Sequence, residues 1–203
     1  READPEASKA LRSVIEAMRA TPIQVREQVV ISTVEGERRA DAAPRTATWT
    51  IVPGRGAMAA FDGFRIRLAD GLIRTVHESS DGLYHERKDE GSPYYGLLAT
   101  FSDLPWPTLA LGLGEPIPEE CAMQLHSRAP WLQPTSVETV EVDGRSRRRI
   151  GLASDFEEMR IDVDPKTNLP IAVTGGEPLG YRVAPVRERT DPMSRWVCSG
   201  RSR

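Results

Sequence analysis

A mainly β fold with an α-helical cover, built on an antiparallel sheet, is predicted from three observations. Apolar and polar residues alternate in a succession of short runs. Turn signals of the Asp-Gly kind separate those runs, which favours neighbouring hairpins over long parallel crossovers. One strongly amphipathic helix precedes them all. At 203 residues the chain is near the upper end of the usual size for one domain and can bury roughly 70% of its unfolded surface. A single domain over residues 1–203 is therefore expected.

The opening helix is predicted over residues 5–20, PEASKALRSVIEAMRA. Ala7, Leu11, Val14, Ile15 and Met18 recur at three- and four-residue intervals and form one apolar stripe. Asp4 can cap it, Pro5 loses no hydrogen bond in the first turn, and Thr21-Pro22 stops it. Lys9, Arg12, Glu16 and Arg19 are mixed in sign, which favours packing onto a sheet over lying on a membrane. After Pro22 the period becomes two. Val25, Val29 and Ile31 oppose Arg26, Gln28, Val30 and Ser32; Ala47, Trp49 and Ile51 share a face; Phe64, Ile66 and Leu68 oppose Arg65 and Arg67. Glu35-Gly36-Glu37, Asp62-Gly63, Asp70-Gly71 and Asp81-Gly82 punctuate these strands, so a meander is the economical topology.

Residues 92–114, SPYYGLLATFSDLPWPTLALGLG, break the pattern and are the most apolar stretch of the chain. They are too short and too interrupted by Pro and Gly to span a bilayer. A short helical insert is predicted here, packed over the sheet either as fixed cover or as a movable lid. Strands resume with CAMQLH, TSVETVEVDG, SRRRIGLAS, EEMRIDVD and LPIAVTG, turning at Asp143-Gly144 and at Asp164-Pro165-Lys166-Thr167-Asn168. The polar tail over 178–203 is expected to hold at most one final strand. No repeat of 20–50 residues is present.

Charged residues make up 28%, apolar residues 39%, and the net charge is -3. These values fit neither a disordered polyelectrolyte nor a strongly basic nucleic-acid binder. Of 27 basic residues only Lys9, Lys88 and Lys166 are lysine, a skew that base composition explains as readily as recognition. The sequence starts at Arg1, which fits a trimmed product and leaves export open. Cys121 and Cys198 permit one intramolecular bridge, closing about 77 residues and worth on the order of 4 kcal/mol, or two separate thiols; the sequence leaves both open.

The order of helix, long meander, apolar helical insert and second set of hairpins resembles the LolA/LolB lipoprotein-carrier-like superfamily, in its uncharacterised exported bacterial branch. The matching pieces are ALRSVIEAMRA, QVREQVVIST, FRIRLADG, YYGLLATFSDLPWPTLAL, VETVEVDGRSRRRIGLASD and above all IDVDPKTNLPIAV at 161–173. The resemblance covers roughly residues 5–175 and is one of pattern. It implies a strongly curved antiparallel sheet forming an incomplete barrel, closed by the N-terminal helix and the insert. It also implies an exported, periplasmic or cell-envelope carrier or binding protein, a monomer without catalysis. The ligand would be a lipid, a lipoprotein acyl group or another hydrophobic molecule. By that resemblance Trp49, Phe64, Ile66, Leu68, Leu98, Phe101, Trp106, Leu109 and Leu111 face the concave space or its lid. A lipidated protein or an envelope protein is the expected partner. The alternative is an envelope interaction domain whose concave face is filled by its own side chains.

Other chemistry is thinly signalled. His77, Asp81, His85 and Glu86 gather potential metal donors around one hairpin, but without a ligand signature they read better as solvated hairpin residues. Asp162, Asp164 and Asn168 suggest a calcium loop, yet Lys166 and Thr167 occupy donor and Gly positions. No GxSxG, GxGxxG or Walker loop occurs. No enzyme, metal or cofactor is therefore expected. Arg145, Arg147 and Arg149 fall on one strand face and could meet an anionic group.

Overall fold

The computed structural model describes residues 2–20, 22–35, 38–41, 45–52, 56–61, 63–81, 83–88, 107–114, 117, 120–124, 130–175 and 179–187. Helix α1 (Pro5–Ala20) begins where Asp4 caps it. The Ala7 N–H donates to the Asp4 carboxylate at 2.7 Å, satisfying a donor that a helix start leaves over, and the Ser8 N–H makes the first helical bond to the Asp4 carbonyl at 2.9 Å. Its stripe of Ala7, Leu11, Val14, Ile15 and Met18 is buried.

Strands β1 (Ile23–Glu35), β2 (Arg38–Asp41), β3 (Arg45–Val52), β4 (Gly56–Phe61), β5 (Phe64–Ala69), β6 (Leu72–His77) and β7 (Tyr84–Lys88) form the first run. Helix α2 (Pro107–Leu113) follows, then β8 (Gln133–Val142), β9 (Arg145–Ala153), β10 (Glu158–Val163), β11 (Pro170–Gly175) and β12 (Leu179–Arg187). All belong to one twelve-stranded sheet in the order β7-β6-β5-β4-β3-β1-β12-β11-β10-β9-β8, with β2 paired to β1 off that path. The pairs are antiparallel throughout. Two tight turns show why Asp-Gly marks them: Asp70 and Gly71 have φ of 56° and 70°, Asp143 and Gly144 of 53° and 70°. Both central residues are left-handed, as a two-residue hairpin loop that follows the strand twist requires.

The expected strongly curved, incomplete barrel is not what forms. The sheet is open and is not strongly curled. Its order is linear and ends in two separate edges, β7 and β8, which do not pair with each other. Alternation determines which face of each strand is apolar, but closure needs a stagger and tilt accumulated from strand to strand, and hairpin signals do not encode that. The mainly β composition, the N-terminal helix and a helical insert do occur. The insert is described over its α2 part; 89–106 lie outside the described residues.

Both helices cover one face. α1 packs on β8 and β9, touches α2, and α2 sits on β3. The core beneath is continuous from Trp49, Ile51, Ile66, Leu68 and Ile73 through Leu109 and Leu111 to Ile150, Leu152, Met159, Ile161, Val163 and Val173. Gly112 marks where α2 closes on β3: a Cβ there would lie 2.3 Å from Ile51 Cδ1 and 3.7 Å from Met18 Cε.

Candidate functional site

The apolar layer between sheet and helices is the candidate site, because β3, β5 and α2 together bring Trp49, Ile66, Leu68, Leu109 and Leu111 of the sequence-predicted lining residues to it. Trp49 is 1% exposed, Ile66 3%, Leu68 4%, and Leu109 and Leu111 1% each. They join one another in the core through the stripe of α1. Phe64 is half-buried at the end of β5, where its ring meets that of His77 edge-on at 4.5 Å between centroids. Leu98, Phe101 and Trp106 lie outside the described residues. Helix α2 carries no charge, and Pro107, Thr108, Leu109, Ala110, Leu111 and Gly112 are all buried, so apolar packing supplies most of its contact with the core. The C-terminal end of α1 is tied to it by Arg19, whose guanidinium donates to the Gly114 carbonyl.

The three arginines of β9 share the face away from the helices and are not equivalent. Arg149 forms a two-pronged pair with Asp162 of β10, Nε to Oδ1 at 2.7 Å and Nη2 to Oδ2 at 3.0 Å. That hydrogen-bonded carboxylate, with its charge and that of Glu138, raises the guanidinium further above its already high pKa against the opposing effect of burial. Arg147 lies 3.7 Å from Asp162 and 3.8 Å from Asp143, and its Nε is buried without a hydrogen bond among the described residues. Arg145 is exposed. Register explains the pairing, since Asp162 stands opposite Arg149. Asp162 therefore engages two of the three arginines, a cross-strand effect no single-strand pattern reveals.

The other motifs become local structure. His77 Nδ1 lies 2.6 Å from Ser79 Oγ, and His85 stands opposite Thr75. No group of three metal-binding side chains occurs among the described residues. The Asp164 carboxylate accepts the Lys166 N–H at 2.8 Å inside its turn, while Asn168 takes φ of 57° and its N–H donates to the Asp164 carbonyl at 2.9 Å. That backbone donor, with Thr167, holds the Asp164 carboxyl below the ordinary carboxylate range against a smaller opposing desolvation. Cys121 is a buried free thiol; Cys198 lies outside the described residues. A cleft of about 430 Å³ at the start of α1 is lined by Glu2, Ala3, Pro5, Ser8, Lys9, Arg12 and Glu120. Its mixed charges do not suit an apolar ligand. No helix among the described residues is long and apolar enough to cross a membrane.

No protein-family model matches the chain and no curated protein matches its sequence. Solved structures with a similar chain path exist. A LolA superfamily protein from Nitrosomonas europaea is 8% identical over 92% of this chain and 94% of its own, with a TM-score of 0.39. LprF from Mycobacterium bovis is 10% identical over 92% and 94%, with a TM-score of 0.43. MucB of Pseudomonas aeruginosa, solved with MucA, is 13% identical over 90% of this chain and 56% of its own, with a TM-score of 0.37. At such identities and scores these likenesses assign no activity.

Proposed function

We propose that this protein is an exported, non-catalytic carrier or binding domain of the cell envelope. Its cargo is a hydrophobic molecule, either a lipid or the acyl group of a lipidated protein. The observation that carries the reading is the charge-free helix α2, packed over the apolar face of β3 and continuous in sequence with the most apolar stretch of the chain. A roof of that kind can be exchanged for an acyl chain, because one set of apolar contacts replaces another. Each methylene removed from water contributes about 0.8 kcal/mol, so a long chain offsets the loss of the α2 contacts. Entry lifts α2 from Ile51 and Met18, and return of the helix expels the cargo. Trp49, Ile66, Leu68, Leu109 and Leu111, with Phe64, Leu98, Phe101 and Trp106, are the residues proposed to meet it.

A second reading is supported by the burial itself. The described core residues are at most 7% exposed, as in an interior filled by its own side chains, and such a domain would act through its surface on another envelope protein. Native mass spectrometry of gently purified protein, followed by organic extraction, separates the two. A stoichiometric acyl species on a monomeric chain supports the carrier. A clean apo mass that persists after incubation with a lipid panel overturns it in favour of the interaction domain.

A further inference from the structure

The face of the sheet away from the helices carries two registered rows of side chains. One runs Gln24, Thr50, Met58, Arg67, Arg74, Glu86 across β1, β3, β4, β5, β6 and β7; the next runs Arg26, Thr48, Ala60, Arg65, Val76, Tyr84. Lys88 on β7 lies beside them, opposite Leu72. Arg26, Arg65, Arg67, Arg74 and Lys88 are all exposed. Glu86 is the carboxylate of this face among the side chains described on these strands, and it is bound to Arg74 at 2.5 Å. A chain of net charge -3 thus concentrates positive charge on one half of one face. Arg67 stands directly opposite Arg74, a like-charge pair that destabilises a sheet unless something opposes it. Arg74 is matched by Glu86 as Arg147 and Arg149 on β9 are matched by Asp162.

We infer that this face docks on an anionic lipid surface through Arg65, Arg67, Arg74 and Lys88. Three properties favour a bilayer over another polyanion. The rows cross six neighbouring strands of an open sheet, about 24 Å at the usual strand spacing, and between the cations stand Thr48, Met58 and Ala60, so the surface is broad and of low relief. At its β7 border Tyr84 is 60% exposed and Leu83 in the adjoining turn 75%. An aromatic and an aliphatic side chain beside a cationic field suit a headgroup layer over an acyl boundary. The charge matches anionic headgroups, which reward each nearby Lys or Arg. The face lies on the other side of the sheet from the helical roof, so the inference stands whether or not the interior holds a ligand.

The full chain, sedimented with vesicles of phosphatidylcholine alone and of an equal mixture with phosphatidylglycerol, tests it. Binding is expected to the mixed vesicles only, falling as salt rises toward ~0.5 M, where the screening length drops to a few ångströms. R65Q/R67Q should weaken partitioning about 25-fold, at the contribution typical of two surface cations. R65K/R67K should retain it. R160Q/K166Q, the same charge change on β10 and the turn after it, should leave it within twofold. Circular dichroism of each variant checks the fold. No binding to the mixed vesicles, equal binding to both vesicle types, or equal loss in the R160Q/K166Q control overturns the inference. Retention on polyglutamate or a single-stranded oligonucleotide that depends on Arg65 and Arg67, without vesicle binding, also overturns it and assigns the face to an acidic macromolecule.

Discussion

The contact between Gly112 and Ile51 can be tested by moving one methyl group from the strand to the helix. An added Cβ at Gly112 would stand 2.3 Å from Ile51 Cδ1, while its next neighbours, Ile51 Cγ1 and Met18 Cε, are at an ordinary 3.7 Å. One atom therefore creates the conflict, and relieving it takes a shift of about 1.2 Å to reach normal carbon separation. Ile51 is 1% exposed and has little room to yield. G112A alone should cost about 1–3 kcal/mol of overpacking, reduced by up to ~1 kcal/mol of helix propensity. I51V alone should cost about 1 kcal/mol for the lost methyl. In G112A/I51V the new Cβ enters the space that Cδ1 vacates, so stability should return to the wild-type value or slightly above it. Urea unfolding of the four proteins measures the coupling, expected at about 2 kcal/mol. Additive losses, agreeing within ~0.5 kcal/mol, would refute the close seating of α2 on β3 and with it the proposed route of entry.

Three further outcomes are expected. D162A strands Arg149 and Arg147 on a half-buried face and should lower stability by about 2 kcal/mol in urea melts, less than a fully buried pair because the Arg149 side chain is 27% exposed; a loss under ~0.5 kcal/mol would contradict the two-pronged pair. D4A should cost about 1 kcal/mol by removing the cap of α1, and D4N should recover most of it; equal loss in both would point to another cause. The depressed Asp164 carboxyl stabilises the fold in its charged form, so its contribution is complete above the ordinary value of about 3.9 and fades as pH falls through the lower folded value. The stability gap between wild type and D164N should therefore close with acidification below about pH 4; a gap constant from pH 7 to 2 would show that the charge is immaterial.

What the residues disclose and what they hide divides along the range of the interactions. The stripe of α1, the buried face of Trp49 and Ile51, and the alternation of Ile66 and Leu68 with Arg65 and Arg67 are each written within a few consecutive residues and are readable there. So are the Asp-Gly turns. The cationic face is within reach too: a two-residue turn at Asp70-Gly71 places Arg67 opposite Arg74 by counting alone, although neither strand by itself shows the row. Asp162 against Arg149 needed the β9–β10 register, which the longer connection between those strands does not specify. The open sheet was beyond local reading altogether, since coiling accumulates over many strands and no single hairpin carries it. Of the proposed lining residues, those on strands followed from alternation, whereas the placement of α2 depends on a glycine whose importance is its missing side chain.

The place of β12 sets the order in which this molecule can be completed. The last described strand lies between β1, with nine register pairs, and β11, with two, so it is the seam between the two meanders of the sheet. A nascent chain that ends before residue 179 holds two half-sheets, each with an unsatisfied edge where the seam will close. Such edges invite pairing with other chains, and the missing contact spans about 150 residues of sequence, the kind of long-range closure that folds slowly. Residues 179–187 must emerge from the ribosome before the interior is sealed, which gives the unfinished protein an interval in which other molecules can hold it.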